Sequence, residues 1–478
     1  MTASTRTEER TEPRDPAGGS RRRRFPTLAG LLILAGSAVL WVPALTRGHP
    51  GIGHIDPTIA RFLLAIALIV LLSHLLGALM RKIGQPAVIG EIIGGLVLGP
   101  SAFGLLWPAG RGWLFPADVV DALGMAAQLG LVTFMFLLGS ELHVRQERTH
   151  RKAVGLVAAG GIGLPFAGGM AIAVPARSAM AGASAQPVAY LLFFGLAVSI
   201  TALPVLARIL VDLRIDRTGP GVVTLASAAI GDGVAWGALT LILAASGVGG
   251  PGGIATTAGL AIALVAFTLV GVRPALAWLL RCAVRRPAVD ALLLPILVAG
   301  ASVFAALTQL IGLHPVLGAF LFGVVMPRRS AAVARISRQL HGFAVTILLP
   351  VFFAGVGLGT SIGLLTGSPS HWLLFLAVLV IASVTKFAGS AGGARLAGMP
   401  AGDSLRVGAL MNCRGVTELV VATIGLQYHV INTLGFTILV LVALITTAVT
   451  GPMVRLSGRR SSRHWTQRLP VPAGPPDR

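Results

Sequence analysis

Apolar runs of about 18 residues or more recur along almost the whole chain, with only short loops rich in Gly, Pro or Arg between them. A helix of that length crosses a bilayer with its backbone N–H and C=O groups satisfied internally, which an isolated strand cannot do. Fourteen apolar segments are legible: 28–45, 57–80, 86–103, 118–141, 153–174, 188–210, 221–246, 253–272, 290–311, 315–326, 343–362, 371–392, 407–424 and 431–452. Charged residues make up 12% of the chain, against roughly 25% in soluble domains. These features predict an all-α polytopic membrane protein, a 13-span core with one extra N-terminal span. The loops leave no room for a soluble domain between spans.

The formal net charge of +21 would suit a nucleic-acid partner, but the placement of the charges argues against one. With the N-terminus in the cytoplasm, the loops on that side carry 32 of the 38 Lys and Arg, including "RQERTHRK", "RRPAVD" and "PRRSAAVARISR". The other face holds Arg47, Arg61, Arg111 and Arg177, and Lys386 and Arg414 fall well inside spans. The positive-inside rule therefore assigns both termini to the cytoplasmic side of the cell membrane. The basic loops then face anionic lipid headgroups. Residues 1–27 read as a basic disordered tail and 456–478 as a short second tail. Segment 28–45 follows "SRRRR" and has the shape of a signal sequence or a retained span; with no small-residue cleavage site after it, the span is favoured. Cys282 and Cys413 are too far apart in sequence to suggest a disulfide framework or a metal site.

Two short stretches repeat. "PAVIGEIIGGLVLGP" (86–100) aligns with "HPVLGAFLFGVVMPR" (314–328), matching Gly90 to Gly318, and "FMFLLGSEL" (134–142) aligns with "PVFFAGVGL" (350–358), matching Gly139 to Gly355. Each pair lies seven spans apart, an odd number, so the copies run in opposite directions across the bilayer. Inverted repeats with short, Gly- or Pro-broken segments mark secondary transporters with a midplane site. Convergent small-residue packing between helices is the alternative.

The polar residues inside spans are few. Asp232, in "SAAIGDGVAW" beside Ser227, sits near the middle of its span, where a carboxylate costs at least about 2.5 kcal/mol on insertion scales. A carboxylate at that depth can bind a dehydrated monovalent cation or a proton. Taking each in turn from alternate sides would give obligatory exchange. A buried Asp satisfied by backbone donors is the bland reading. Ser199, Thr201 and Pro204 lie in mid-span in "LAVSITALPVLARIL", and the proline favours a helix break near residue 201. Unwound carbonyls and the Thr hydroxyl are hard oxygen ligands suited to Na⁺, K⁺ or Li⁺, and Ser199 stands with Thr201 among the ion-binding candidates. Lys386 compensates a buried charge, with Asp232 or the carbonyls of a broken helix as partners, or titrates itself and carries a second proton, or snorkels to the cytoplasmic side. Arg414 and Glu418 are four apart and face each other on one helical turn. Glu91, near a cytoplasmic span end, suits an entry funnel; Glu141 is equally an exposed cap or a functional acid. His314 reads as a boundary loop residue.

The ordered set "QPAVIGEIIGGLVLGPSAFG", "FMFLLGSEL", "SITALPVLARIL", "ASAAIGDGVAW", "GLHPVLGAFLFGVVMPR", "LPVFFAGVGLG", "TKFAG" and "MNCRGVTELVV" resembles the monovalent cation:proton antiporters, nearest to the Kef-type and plant cation/H⁺ exchanger branch. The resemblance covers about residues 57–455. It implies an inverted-repeat antiporter fold with a core and a dimerisation domain, and hence a homodimer. Two discontinuous helices, 188–210 and 407–424, would cross at the ion site. Asp232 would hold the monovalent cation, with Thr201 beside it and Lys386, Arg414 and Glu418 as core charge partners. No organic cofactor is implied. Many relatives carry Asp, Asn or Gln before the ion-binding Asp; here it is Gly231, which favours one-for-one electroneutral exchange. No GxGxxG-bearing βαβ unit of the kind appended to Kef-type systems occurs in the sequence. A Na⁺-coupled organic solute transporter on a related core, or a cation-sensing membrane protein, stay as competing readings. No nucleophile elbow, phosphate loop or metal cluster argues for an enzyme.

Overall fold

The computed structural model describes residues 58–141, 150–183, 185–216, 218–243, 253–327 and 331–457. The expected extra segment 28–45 and both tails lie outside them. The described residues are almost entirely helical. In chain order the main helices are α1 (Thr58–Lys82), α2 (Ala87–Leu98), α3 (Ala117–Glu141), α4 (Arg151–Met180), α5 (Pro187–Ser199), α6 (Leu203–Asp212), α7 (Gly219–Leu243), α8 (Gly253–Phe267) and α9 (Arg273–Arg285). They continue as α10 (Pro287–Leu310), α11 (Pro315–Val324), α12 (Ala331–Phe343), α13 (Leu349–Leu358), α14 (Pro369–Leu396), α15 (Ala401–Met411), α16 (Val416–Gln427) and α17 (Thr433–Ser457).

Eleven helices among the described residues are long and apolar enough to cross a membrane, and Pro187–Ser199 and Pro315–Val324 are shorter apolar helices. The chain is a multi-pass membrane protein. Two boundaries differ from the hydropathy reading by more than ten residues. The helix expected to end at 272 runs on through a π-turn at Thr268–Val272 into α9. The helix expected to start at 343 begins at Ala331 and passes through a second π-turn, Ala344–Leu348, before α13. In both places basic residues extend a helix past its apolar stretch, and hydropathy registers only the apolar part.

Prolines start several helices. Pro187, Pro287, Pro315 and Pro369 each occupy the first helical position, where the missing N–H would have had no partner and φ is already set. The pairing of helices follows one order twice. α1 packs on α2 as α10 packs on α11; α3 packs on α11 as α13 packs on α2; α4 packs on α5 as α14 packs on α15; and α7 touches α5 and α6 as α17 touches α15 and α16. Glycine permits two of these approaches. A Cβ at Gly90 would collide with the backbone of Leu76 and Gly77, and one at Gly318 with the backbone of Phe304. The second sequence pair is less regular: Gly139 meets α11, whereas a Cβ at Gly355 would meet nothing within 4 Å, and Gly357 makes the close contact with α2. α4 and α14 run against each other, and the α5–α6 and α15–α16 interruptions lie inside the group they help to form.

Candidate functional site

Residues 200–202 are not helical, so the segment 188–210 is two helices, α5 and α6. Pro204 lies in the first turn of α6, where its missing N–H breaks no helical bond. Residues 412–415 interrupt the second segment in the same way, between α15 and α16. The two interruptions bind each other. The Thr201 hydroxyl donates to the Met411 carbonyl at 3.0 Å, and the Ala202 N–H donates to the Cys413 carbonyl at 3.2 Å. Gly415 lets the strands approach, since a Cβ there would lie 2.7 Å from Val205. The second bond joins backbone groups left orphaned by the two helix breaks, and the first gives an orphaned carbonyl a side-chain donor.

The charged side chains are arranged around these helix ends. Carbonyls at the C-terminal end of α5 carry the negative pole of that helix, and Lys386 and Arg414 both go there. Arg414 donates from Nη2 to the Val198 carbonyl at 2.5 Å and from Nη1 to the Ala197 carbonyl at 3.4 Å. Lys386, on α14, donates from Nζ to the Ser199 carbonyl and, at 2.8 Å, to the Gly161 carbonyl of α4. The lysine is 0% exposed, so it does not snorkel; of its expected partners it takes the carbonyls of the broken helix. Arg414 Nη1 also pairs with Glu418 Oε1 at 2.9 Å, with both side chains 0% exposed. Glu418 occupies the first turn of α16, the positive end of that half-helix.

Asp232 lies on α7 and is 0% exposed. The Thr417 hydroxyl at the start of α16 and the Leu203 amide at the start of α6 face its carboxylate, and Lys386 is a charged neighbour. None of these closes a hydrogen bond of normal geometry with it, and the Thr417 hydroxyl is likewise without one. A buried carboxylate thus sits where two half-helix N-termini converge, with its lone pairs uncommitted. Buried polar atoms without a partner are rare and mark places where a ligand or proton belongs. In formal charges, Lys386 and Arg414 balance Asp232 and Glu418.

Other expected residues fall elsewhere. The Ser199 hydroxyl donates to the Leu196 carbonyl of its own helix at 2.8 Å, and its backbone carbonyl is the group that faces the charges. Ser227 donates to the Val154 carbonyl at 3.1 Å, tying α7 to α4. Glu91 is on α2 with Arg81 as its charged neighbour, and is not among the groups around Asp232. Glu141 is the last residue of α3, and its side chain is outside the described set. His314 caps α11, accepting from the Val316 N–H at 3.4 Å, and is 4% exposed. Sequence reasoning missed Thr417, Asn412 and Thr447. Thr417 adjoins Glu418 in "RGVTELVV" and was within reach; Asn412 and Thr447 carry no signal until the interruption is seen in three dimensions. It also missed Asp403, 0% exposed in the first turn of α15 beside Arg406 at 3.7 Å.

Relatives share this sequence along most of its length. Cation/H(+) antiporter 20 of Arabidopsis thaliana is 37% identical over 399 residues, covering 81% of this chain and 47% of the relative. Na(+)/H(+) antiporter NhaS4 of Synechocystis is 34% identical, covering 83% of this chain and 97% of the relative. K(+)/H(+) antiporter 1 of Saccharomyces cerevisiae is 31% identical, covering 83% and 46%. This chain therefore spans about half the length of the plant and yeast relatives and nearly all of the cyanobacterial one. Among solved structures, the sodium proton antiporter MjNhaP1 of Methanocaldococcus jannaschii superposes with a TM-score of 0.61 at 14% identity, covering 84% of this chain and 99% of that one; this likeness concerns the fold. The family described as "Sodium/hydrogen exchanger, transmembrane" matches residues 64–457, and the chain belongs to that family.

Proposed function

We propose that this protein is a secondary antiporter exchanging a monovalent cation for a proton across the cytoplasmic membrane, with both ions competing for Asp232. The observation that carries this reading is the uncommitted carboxylate at the meeting of two broken helices. A dehydrated cation there gains the Asp232 charge, the Thr417 hydroxyl and the lone pairs of the Thr201 hydroxyl, whose own proton goes to Met411. A proton on Asp232 removes the charge and releases the cation. Lys386 and Arg414 are committed to the α5 carbonyls, so they hold the broken helix in place and offset the acids without competing for the cargo.

A single carboxylate at the cation position supports one-for-one exchange: one proton leaves Asp232 as one monovalent cation arrives. Gly231 adds no second acid beside Asp232; a Cβ there would meet nothing nearer than the Ile162 side chain at 3.8 Å. The twofold order of helix pairing supports an inverted repeat. In that arrangement α4–α7 and α14–α17 form the moving group, and the homodimer implied by the family completes the assembly. Both termini lie in the cytoplasm by the distribution of Lys and Arg. The positively charged loops then bind the anionic leaflet.

The test is cation-induced proton movement in everted vesicles, read by a pH-gradient dye, for the wild type and Asp232→Asn with Na⁺, K⁺ and Li⁺. Dissipation in the wild type and none in the variant is expected, and the effective cation names the cargo. Equal traces from two well-folded proteins would sink the assignment and favour the solute-transporter or sensor readings.

A further inference from the structure

Thr447 stands out among the buried hydroxyls. Most threonines in these helices bond back to a carbonyl three or four residues earlier, as Thr224, Thr308, Thr446 and Thr450 do. Thr447 reaches out of its helix instead. Its hydroxyl donates to the Arg414 carbonyl at 2.5 Å and accepts from the Arg414 N–H at 3.1 Å. One side chain thus satisfies both backbone groups of a residue in the α15–α16 interruption, deep among buried residues where no water replaces them.

The location gives this bond a wider meaning. α7 and α17 occupy matching places in the two series of helices, each touching both halves of an interrupted pair. Asp232 lies near the middle of α7 and faces the start of α6; Thr447 lies near the middle of α17 and holds the break before α16. We propose that Thr447 is the counterpart of Asp232 in the second half of the molecule, a positioning residue that fixes the Arg414 backbone so that the guanidinium caps α5 and the start of α16 is presented to the cation.

The chain of dependence is short. Arg414 reaches the Val198 and Ala197 carbonyls and Glu418 from one backbone position. Thr417, three residues later, supplies the hydroxyl that faces Asp232. Loosening residue 414 therefore moves a cation-facing oxygen and frees the cap of α5 together. Hydroxyl and carboxylate divide the labour: the acid half changes charge with its cargo, whereas the hydroxyl half holds the geometry against which that change is read.

This inference rests on the proposed exchange activity. Purified protein in proteoliposomes with an internal pH dye would be titrated with the cation that the wild type transports, comparing Thr447→Val, Thr447→Ser and Arg414→Lys, with Thr447→Val also placed in the Arg414→Lys background. Thr447→Val is expected to raise the half-saturating cation concentration by about tenfold, the scale of one buried hydrogen-bonding group lost, while Thr447→Ser stays within about twofold of the wild type. In the Arg414→Lys background the Val substitution is expected to add less than it does alone, because the part that acts through the α5 cap is already lost while the displacement of Thr417 remains. A lower maximal rate with an unchanged half-saturating concentration would mean that Thr447 only supports folding, and would overturn the proposal. Where Thr447→Val does not reach the membrane, Thr447→Cys gives the reading: the weaker thiol bonds predict an intermediate rise, and a wild-type value overturns the proposal. Absence of exchange in the wild type would instead sink the proposed function.

Discussion

Residues 259–283 and 401–427 are helical stretches of similar length, and both qualify as spans. The first has mean hydropathy 2.0 over its most apolar stretch and is 11% buried there; the second has 1.3 and is 94% buried. The less apolar stretch is the interior one. In water the order would be reversed, since burial is what apolar surface gains. In a bilayer the lipid-facing helix must be apolar all along, and polar groups can exist only where other protein groups meet them. Arg414, Glu418, Thr417 and Asn412 therefore crowd into the interrupted helix pair, while Ile262, Phe267 and Val270 face outward.

The contrast is broken first by Arg414→Ala. It leaves Glu418 unpaired and the Val198 and Ala197 carbonyls without donors. The expected loss of stability is about 3–5 kcal/mol, read as a lowered melting temperature in detergent or no accumulation in the membrane. A melting curve like that of the wild type would mean that the ion pair is not needed to hold the crossing.

Lys386→Met comes next, because the Ser199 and Gly161 carbonyls lose their shared donor and the crossing loses a positive charge. A loss of about 2 kcal/mol is expected from the two unsatisfied acceptors. Native-state hydrogen exchange would locate it: faster exchange at residues 200–203 and in α4 sharpens the comparison, and uniform change along the chain argues against it. Ser227→Ala removes a single bond between α7 and α4, so about 1 kcal/mol is expected in the same melting assay. At the other end, Ile262→Ala in α8 should change stability by less than about 0.5 kcal/mol, as surface positions do; Ile262 is 70% exposed. A larger loss there would show that this face is covered by a second copy or an ordered lipid.

Much of the layout was legible from residue order. Pro204 in an otherwise apolar run predicted the α5–α6 break, and the Gly90 and Gly318 stretches proved to sit in equivalent pairings. Arg414 and Glu418 pair as expected, but Arg414 lies in the interruption before α16 and not on the helical turn that the i,i+4 spacing suggested. The neighbours of Lys386 were narrowed to Asp232 or helix carbonyls, and its hydrogen bonds go to the carbonyls. Ser199 was expected at the ion site; its hydroxyl proton goes to the Leu196 carbonyl of its own helix, and its backbone carbonyl takes Lys386. The Thr447 clamp could not be foreseen, because an intramembrane threonine ordinarily bonds to its own preceding turn, and nothing local distinguishes the one that does not.

The sequence by itself determined that this chain lies in a membrane as helices, because continuous apolar runs of that length satisfy their own backbone groups in hydrocarbon only when coiled as helices. It also determined which few residues carry charge there, because each such residue is costly and therefore conspicuous. The tertiary structure alone decided how those charges are shared. Lys386 and Arg414 went to the negative end of α5, Asp232 to the positive ends of α6 and α16, and Thr447 to the backbone of the break. That sharing depends on helix ends meeting across more than two hundred residues of chain, where hydrogen bonds and helix dipoles, not proximity in sequence, choose the partners.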